Sequence, residues 1–216
     1  MSYFNLHISS EVNRVIPKNS FNEFTTTKQK KKFADIIDKI TWLNKLSKET
    51  INLSGDEITE LQIFEIKLKE QVYPKELLDI IDKAIPYPII FVTTFQDEII
   101  YSTTKKHNHP VNPDIAVLDW TFTSQWFNAA IINYKLNLKI SLDYVYADFC
   151  SQLSSYKKEI KDIASIILYD KTFKELNKSI AELESAIKNE KQFNKKVELN
   201  IQLKEANNNL SNFLTS

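Results

Sequence analysis

Apolar residues recur at spacings of three and four through residues 28–46, where Phe33, Ile36, Ile37, Ile40, Leu43 and Leu46 share one side of a 3.6-residue turn. The spacing predicts an amphipathic helix there, with Thr27 placed to cap it. Residues 50–54 alternate polar and apolar and predict a short strand, which Gly55-Asp56 turns into a longer one over 59–69. In that second strand Phe64, Ile66 and Leu68 share one face, and Glu65, Lys67 and Lys69 the other. Pro74 opens a helix carrying Leu77, Leu78, Ile81 and Ile85, which stops before Pro86. A buried strand over 87–92 follows, then a turn at Gln96-Asp97-Glu98 into Ile99-Ile100-Tyr101. Residues 105–114 read as a polar, Pro-containing loop, and a last strand runs from Ile115 towards Trp126. The first thirty residues are mixed and loop-like. Helix, strand, strand, helix, strand, strand is the order of an α/β or α+β domain with a mixed sheet. Its core is expected to gather Ile36, Trp42, Phe64, Ile66, Ile81, Ile90 and Phe91.

The tail has another period. Leu142, Tyr146, Phe149, Leu153, Tyr156, Ile160, Ile163 and Ile167 step by four and three, as does Phe173, Leu176, Ile180, Leu183 and Ile187. Leu199, Leu203, Ala206, Leu210 and Phe213 continue in a shifted phase. The break near Asn189-Glu190-Lys191-Gln192 suits either a reversal between antiparallel helices or a stutter in one long helix. The expectation is an α/β domain over 1–140 and a helical, coiled-coil-like extension over 141–216, with Ser141 capping its first helix and an antiparallel hairpin over 171–214. Seams this narrow need a partner helix. The tail therefore reads as an assembly element, within the chain, between copies or with another protein.

Composition narrows the chemistry. Gly55 is the only glycine of 216 residues. Phosphate-cradling loops need several, so that backbone N–H groups can approach the phosphates, and kinases, P-loop motors, dinucleotide oxidoreductases and conventional methyltransferases are excluded. The 28 basic and 28 acidic side chains cancel, which removes the simplest argument for non-specific nucleic-acid binding. Arg14 is the only arginine, so the planar fork that reads guanine edges is scarce. Cys150 stands alone within an apolar periodic stretch and reads as a buried filler, with no disulfide and no cysteine-based zinc site. No stretch is apolar for long enough to cross a bilayer, and the N-terminus lacks the pattern of a signal peptide. The expected setting is the cytoplasm, with no cofactor and no membrane partner.

Few constellations carry chemistry. His107-Asn108-His109 sits beside lysines with only Asp114 as a nearby carboxylate, and reads as solvated. Lys28, Lys30, Lys31 and Lys32 crowd the first turn of a helix. There they oppose the helix dipole and suggest an acidic partner or nucleic acid. Glu65-Ile66-Lys67 places a carboxylate and a lysine two apart on one strand. In restriction-type nucleases the acid of such a pair orients a divalent ion and the lysine steadies the hydroxide or phosphate. The surrounding element order resembles the core of the PD-(D/E)xK superfamily. The first acid of that motif belongs on the preceding strand, where this reading finds Asn52; Asp56 lies at the hairpin tip, and Glu49 and Glu60 are the substitutes. With Mg²⁺, a nuclease subunit using Glu65 and Lys67 is the alternative function.

Ile40-Thr41-Trp42-Leu43-Asn44-Lys45-Leu46-Ser47, Ile81-Asp82-Lys83-Ala84-Ile85-Pro86-Tyr87-Pro88-Ile89-Ile90-Phe91 and Glu190-Lys191-Gln192-Phe193-Asn194-Lys195-Lys196-Val197-Glu198-Leu199-Asn200 carry a resemblance. Together with Ile16-Pro17-Lys18, Phe21, Thr50-Ile51-Asn52-Leu53 and the 63–69 strand, they resemble the bacterial family catalogued as domain of unknown function 4391. The likeness spans nearly the whole chain and is weakest at 94–140. It implies neighbours such as helicases, DNA methyltransferases and restriction subunits, hence a role in DNA modification or phage defence, and it implies no catalytic residues. The expected function is a non-catalytic accessory or adaptor subunit, a possible homo-oligomer. It would associate with DNA indirectly through helicase or methyltransferase partners.

Overall fold

The structure is a computed structural model and describes residues 3–111, 116–131, 133–160 and 162–215. The chain divides into two compact units, Met1–Ile160 and Lys161–Ser216. The first is an α+β domain around a seven-stranded mixed sheet. Its strands are β1 (Glu11–Ile16), β2 (Ile37–Ser47), β3 (Glu60–Leu68), β4 (Ile89–Phe95), β5 (Glu98–Asn108), β6 (Ala116–Thr123) and β7 (Phe127–Asn128). β1 to β6 lie side by side in chain order, and β7 pairs with the start of β5. Neighbours run antiparallel except β3 and β4, which are parallel. A parallel pair needs a crossover, and α3 (Lys75–Ala84) supplies it.

Residues 28–46 are a helix only at their start. α1 (Thr27–Ile36) is capped by Thr26 rather than Thr27: its hydroxyl accepts from Gln29 N at 3.3 Å, and Gln29 Oε1 accepts from Thr26 N at 2.9 Å. From Ile37 the chain is β2. Two bulges explain the helical look of its sequence. Ile37 pairs with Leu68 and Ile40 with Ile66, so three steps on β2 match two on β3, and a second slip falls between Trp42 and Asn44. Each bulge adds one residue to a period of two, so buried positions fall three apart. Residues 50–54 are not a strand. Lys48–Ile51 form the one-turn helix α2, stopped by Asn52 in the left-handed region at φ 54°. β1 was not visible in the loop-like N-terminal pattern, because its exposed edge carries little apolar alternation.

The sheet is covered on both faces. On one, Phe64, Ile66 and Leu68 of β3 and Ile89 and Phe91 of β4 pack with Ile37 and Ile40, the inner side of α3 and Phe33 of α1; Ile36 and Trp42 are partly buried against them. Ile90 is buried too, but on the opposite face, since neighbouring strand residues point opposite ways. That second face holds Phe4, Tyr101, Phe149, Phe127 and Tyr134 in an aromatic cluster with ring centroids 5.4 to 5.9 Å apart. Its cover is α4 (Leu142–Ser154), capped by Ser141, whose hydroxyl accepts from Tyr144 N at 3.2 Å. The expected helical extension from 141 is therefore interrupted: α4 packs on β3, β5 and β6, ends at Ser155 in the left-handed region, and belongs to the first unit.

The second unit contains α5 (Ile163–Asn189) and α6 (Phe193–Thr215). The chain turns at 190–192, where Glu190 Oε1 accepts from the backbones of Lys191 and Gln192 at 2.8 Å each. Tyr169 near the start of α5 stacks on Phe213 near the end of α6 at 4.7 Å, so the two helices run antiparallel.

The one glycine has a steric reason. The Asp143 carboxylate accepts from the backbone N–H groups of Asp56, Glu57 and Ile58 at 2.6, 3.2 and 2.8 Å, tying α4 to the loop before β3. A Cβ on Gly55 would stand 2.7 Å from Asp143 Oδ2 and 2.6 Å from the Ile58 carbonyl oxygen. Gly55→Ala is expected to lower unfolding free energy by about 1–3 kcal/mol, and Asp143→Ala by a similar amount. The double variant should lose less than the sum, because both changes act on one loop. Urea denaturation of the three variants checks this; additive losses would contradict it.

Candidate functional site around Glu65 and Lys67

The ladder decides what surrounds the Glu65-x-Lys67 pair. Both side chains lie on the α4 face of β3, at its end beyond the cover of that helix, so Glu65 is half-buried and Lys67 exposed. Across β2, Glu65 faces Thr41 and Lys67 faces Lys39; across β4, they face Val92 and Thr94. Tyr101 of β5 continues the Thr41–Glu65–Val92 row. Tyr3 and Phe4 lie over this face, and the Tyr3 hydroxyl donates to Glu65 Oε1. Burial, then that hydrogen bond and the negative charge of Glu65, push the Tyr3 phenol up from its ordinary range. Burial does the same to Tyr101. The hydroxyls of Tyr101 and Thr41 are buried without a hydrogen-bond partner among the described residues. A cleft of about 290 Å³ opens beside this row, with Tyr3, Phe4 and Leu6 on one side and Asn44 and Ile63 of the sheet on the other.

The strand that precedes β3 is β2, so the position opposite Glu65 is Thr41, not an acid. Asn52 caps α2 and lies on no strand. Glu60 pairs with Lys45 at 2.6 Å, Glu49 accepts from the Ser47 hydroxyl at 2.7 Å, and Asp56 gives its N–H to Asp143. None of them is brought beside Glu65 in the ladder. Among the described residues no group of three or more His, Cys, Asp or Glu side chains could hold a metal ion.

The lysine run is split. Lys32 pairs with Glu76 of α3, which Gln29 also reaches at 3.0 Å, and these contacts hold the Glu76 carboxyl below its usual range. Lys28, Lys30 and Lys31 are exposed. His107 faces Asp119 at 2.9 Å on the neighbouring strand, so it is paired, and His109 Nδ1 accepts from Val111 N at 3.2 Å. Asp114 lies outside the described residues. Cys150 is buried.

Residues 105–108 belong to β5 rather than to a loop, which turns Lys106 inward. Its amine donates to the carbonyls of Asp82 and Ile85 at 2.8 Å each and to Asp82 Oδ1 at 2.9 Å. All its donors are used, two on carbonyls at the end of α3. Burial pushes the Asp82 carboxyl up and the Lys106 amine down, and each charge opposes the shift of the other. No sequence signal separated Lys106 from its solvated neighbours. This pair is a clamp between α3 and the sheet.

The family described as a domain of unknown function, DUF4391, matches residues 4–210. The chain belongs to this family. No curated protein and no solved structure matches it. The match runs from Phe4, in the segment that crosses over Glu65, to Leu210 in α6, so it takes in both the candidate site and the tail. The family description brings no activity to Glu65 or Lys67.

Lys106→Met is expected to lower stability by about 3–5 kcal/mol, since it leaves the Asp82 carboxyl buried without its cation. Adding Asp82→Leu should restore most of the loss. Thermal and urea unfolding measure both; equal instability of the single and double variants would show that packing, not charge, is at stake.

Proposed function

We propose that this chain is a non-catalytic accessory or adaptor subunit of a bacterial DNA-modification, restriction or phage-defence system, working in the cytoplasm and assembling through its C-terminal helices. The observation that carries the reading is on α6. Leu199, Leu203, Ala206, Leu210 and Phe213 are half-buried on one side of the helix, the side that meets α5. Phe193, Val197 and Ile201 fall four apart on the opposite side and stay 78%, 45% and 56% exposed. A helix with apolar residues on two sides and only one of them covered is built to receive a further element. The glycine shortage and the neutral net charge support a protein partner over a bound nucleotide, and helicase or DNA methyltransferase subunits are the partners the family resemblance suggests. No helix among the described residues is long and apolar enough to cross a membrane.

The surroundings of Glu65 also support a non-catalytic role. One carboxylate, with Thr41 opposite and Tyr3 bonded to it, is a poor holder for the divalent ion that a PD-(D/E)xK reaction needs.

Changing Phe193, Val197 and Ile201 together to Ser should leave circular dichroism intact and abolish self-association or capture of the partner subunit, read by light scattering and by co-purification. Retained assembly would overturn the tail's role. DNA cleavage by the purified chain with Mg²⁺ or Mn²⁺, stopped by Lys67→Ala, would overturn the non-catalytic role instead.

A further inference from the structure

We propose that Lys39, Lys67, Thr41 and Thr94 form a seat for a phosphate group on the α4-side face of β2, β3 and β4, at the end that α4 leaves open. The proposal goes beyond the assembly reading and does not depend on the tail.

Lys39 and Lys67 lie directly opposite each other in an antiparallel ladder, which sets their Cβ atoms roughly 5 Å apart. Like charges in that position repel, and such a pair is unfavourable unless something negative lies between the amines. Both side chains are exposed, and neither makes an ion pair among the described residues. Other lysines near this end of the sheet are engaged: Lys18 donates to the Ile37 carbonyl at 2.8 Å and Lys69 to the Ala34 carbonyl at 2.7 Å.

Hydroxyls complete the seat. Thr41 stands two residues from Lys39 on the same face of β2, and Thr94 is the β4 neighbour of Lys67. Thr41 is 93% buried, and its hydroxyl has no hydrogen-bond partner among the described residues. Two amines and two hydroxyls gathered on three adjacent strands are donors for a tetrahedral oxyanion. Glu65, the one carboxylate in the block, has Oε1 occupied by the Tyr3 hydroxyl. The exposed lysines of α1 differ in this respect, since none of the buried unpartnered hydroxyls among the described residues lies on that helix. A lysine amine carries charge without a fork, so the seat takes the phosphate of a backbone or a free phosphate and reads no base.

The test uses the whole 216-residue chain in EDTA, which removes metal-dependent contributions. Fluorescence anisotropy with a labelled DNA duplex, over salt from about 50 to 200 mM, reports phosphodiester binding. Thermal unfolding with and without inorganic phosphate reports the free anion. Lys39→Gln with Lys67→Gln should weaken the duplex at least tenfold and reduce the salt slope by roughly 0.9, the contribution of one phosphate contact. Lys30→Gln with Lys31→Gln, the same change of net charge, should do neither. Thr41→Val should weaken binding several-fold at an unchanged slope. A phosphate-induced rise in melting temperature that the Lys39/Lys67 variant lacks, without duplex binding, would assign the seat to a free phosphate. If neither probe binds, or if the α1 variant loses as much as the Lys39/Lys67 variant, the seat is overturned. Both lysines are exposed, so the unliganded variant should melt no lower than the wild type.

Discussion

The central strands β3, β4 and β5 have to be buried on both faces, and most of the first unit follows from that. β3 and β4 are parallel, and a parallel pair is stable where helices or other elements cover each side. α3 covers one side as the crossover that the pair requires. The other side has no such built-in cover, and α4 arrives from far along the chain to provide it. Asp143 fixes that arrival by holding three backbone N–H groups of the loop before β3, a contact that a side chain at position 55 would obstruct. A chain with one glycine has placed it where the two layers meet.

The cover is incomplete, and the candidate site lies in the gap. α4 packs on β5, β6 and β3, while Tyr3 reaches Glu65 further along β3. Along β3 this gives a change from full burial at Leu61 to Phe64 to a half-buried Glu65 and an exposed Lys67. Polar side chains can exist there because water reaches them. Lys106 shows the opposite regime on the other face, where a charge survives only with Asp82 and two carbonyls around it.

The tail obeys a different rule. α5 and α6 each half-bury one stripe, with Phe173, Leu176, Ile180, Leu183 and Ile187 on the first and Leu199, Leu203, Ala206, Leu210 and Phe213 on the second. Phe193, Val197 and Ile201 lie outside the second stripe. They stay exposed, which is the ground for the proposal that they receive a further element.

Much of this was legible in the sequence. The β3 alternation, the Pro74 to Pro86 limits of α3 and the Ser141 cap depend on local sterics and on a single period, and they appear as read. The single glycine and lone cysteine bounded the chemistry without any structure. What the sequence misjudged depended on pairing. Bulges in β2 mimic a helical period, because an extra residue becomes visible only against the partner strand. The end of α4 at Ser155 interrupts a continuing heptad, since packing on the sheet fixes that helix while the next belongs to a separate unit. Lys106 reads as one more loop lysine until the ladder turns it inward. Thr41 stands opposite Glu65, and Lys39 opposite Lys67, only because β2 replaced the strand expected at 50–54. Sequence spacing determines which side chains share a face of their own element; register across strands decides which of them meet, and register is a property of the folded sheet.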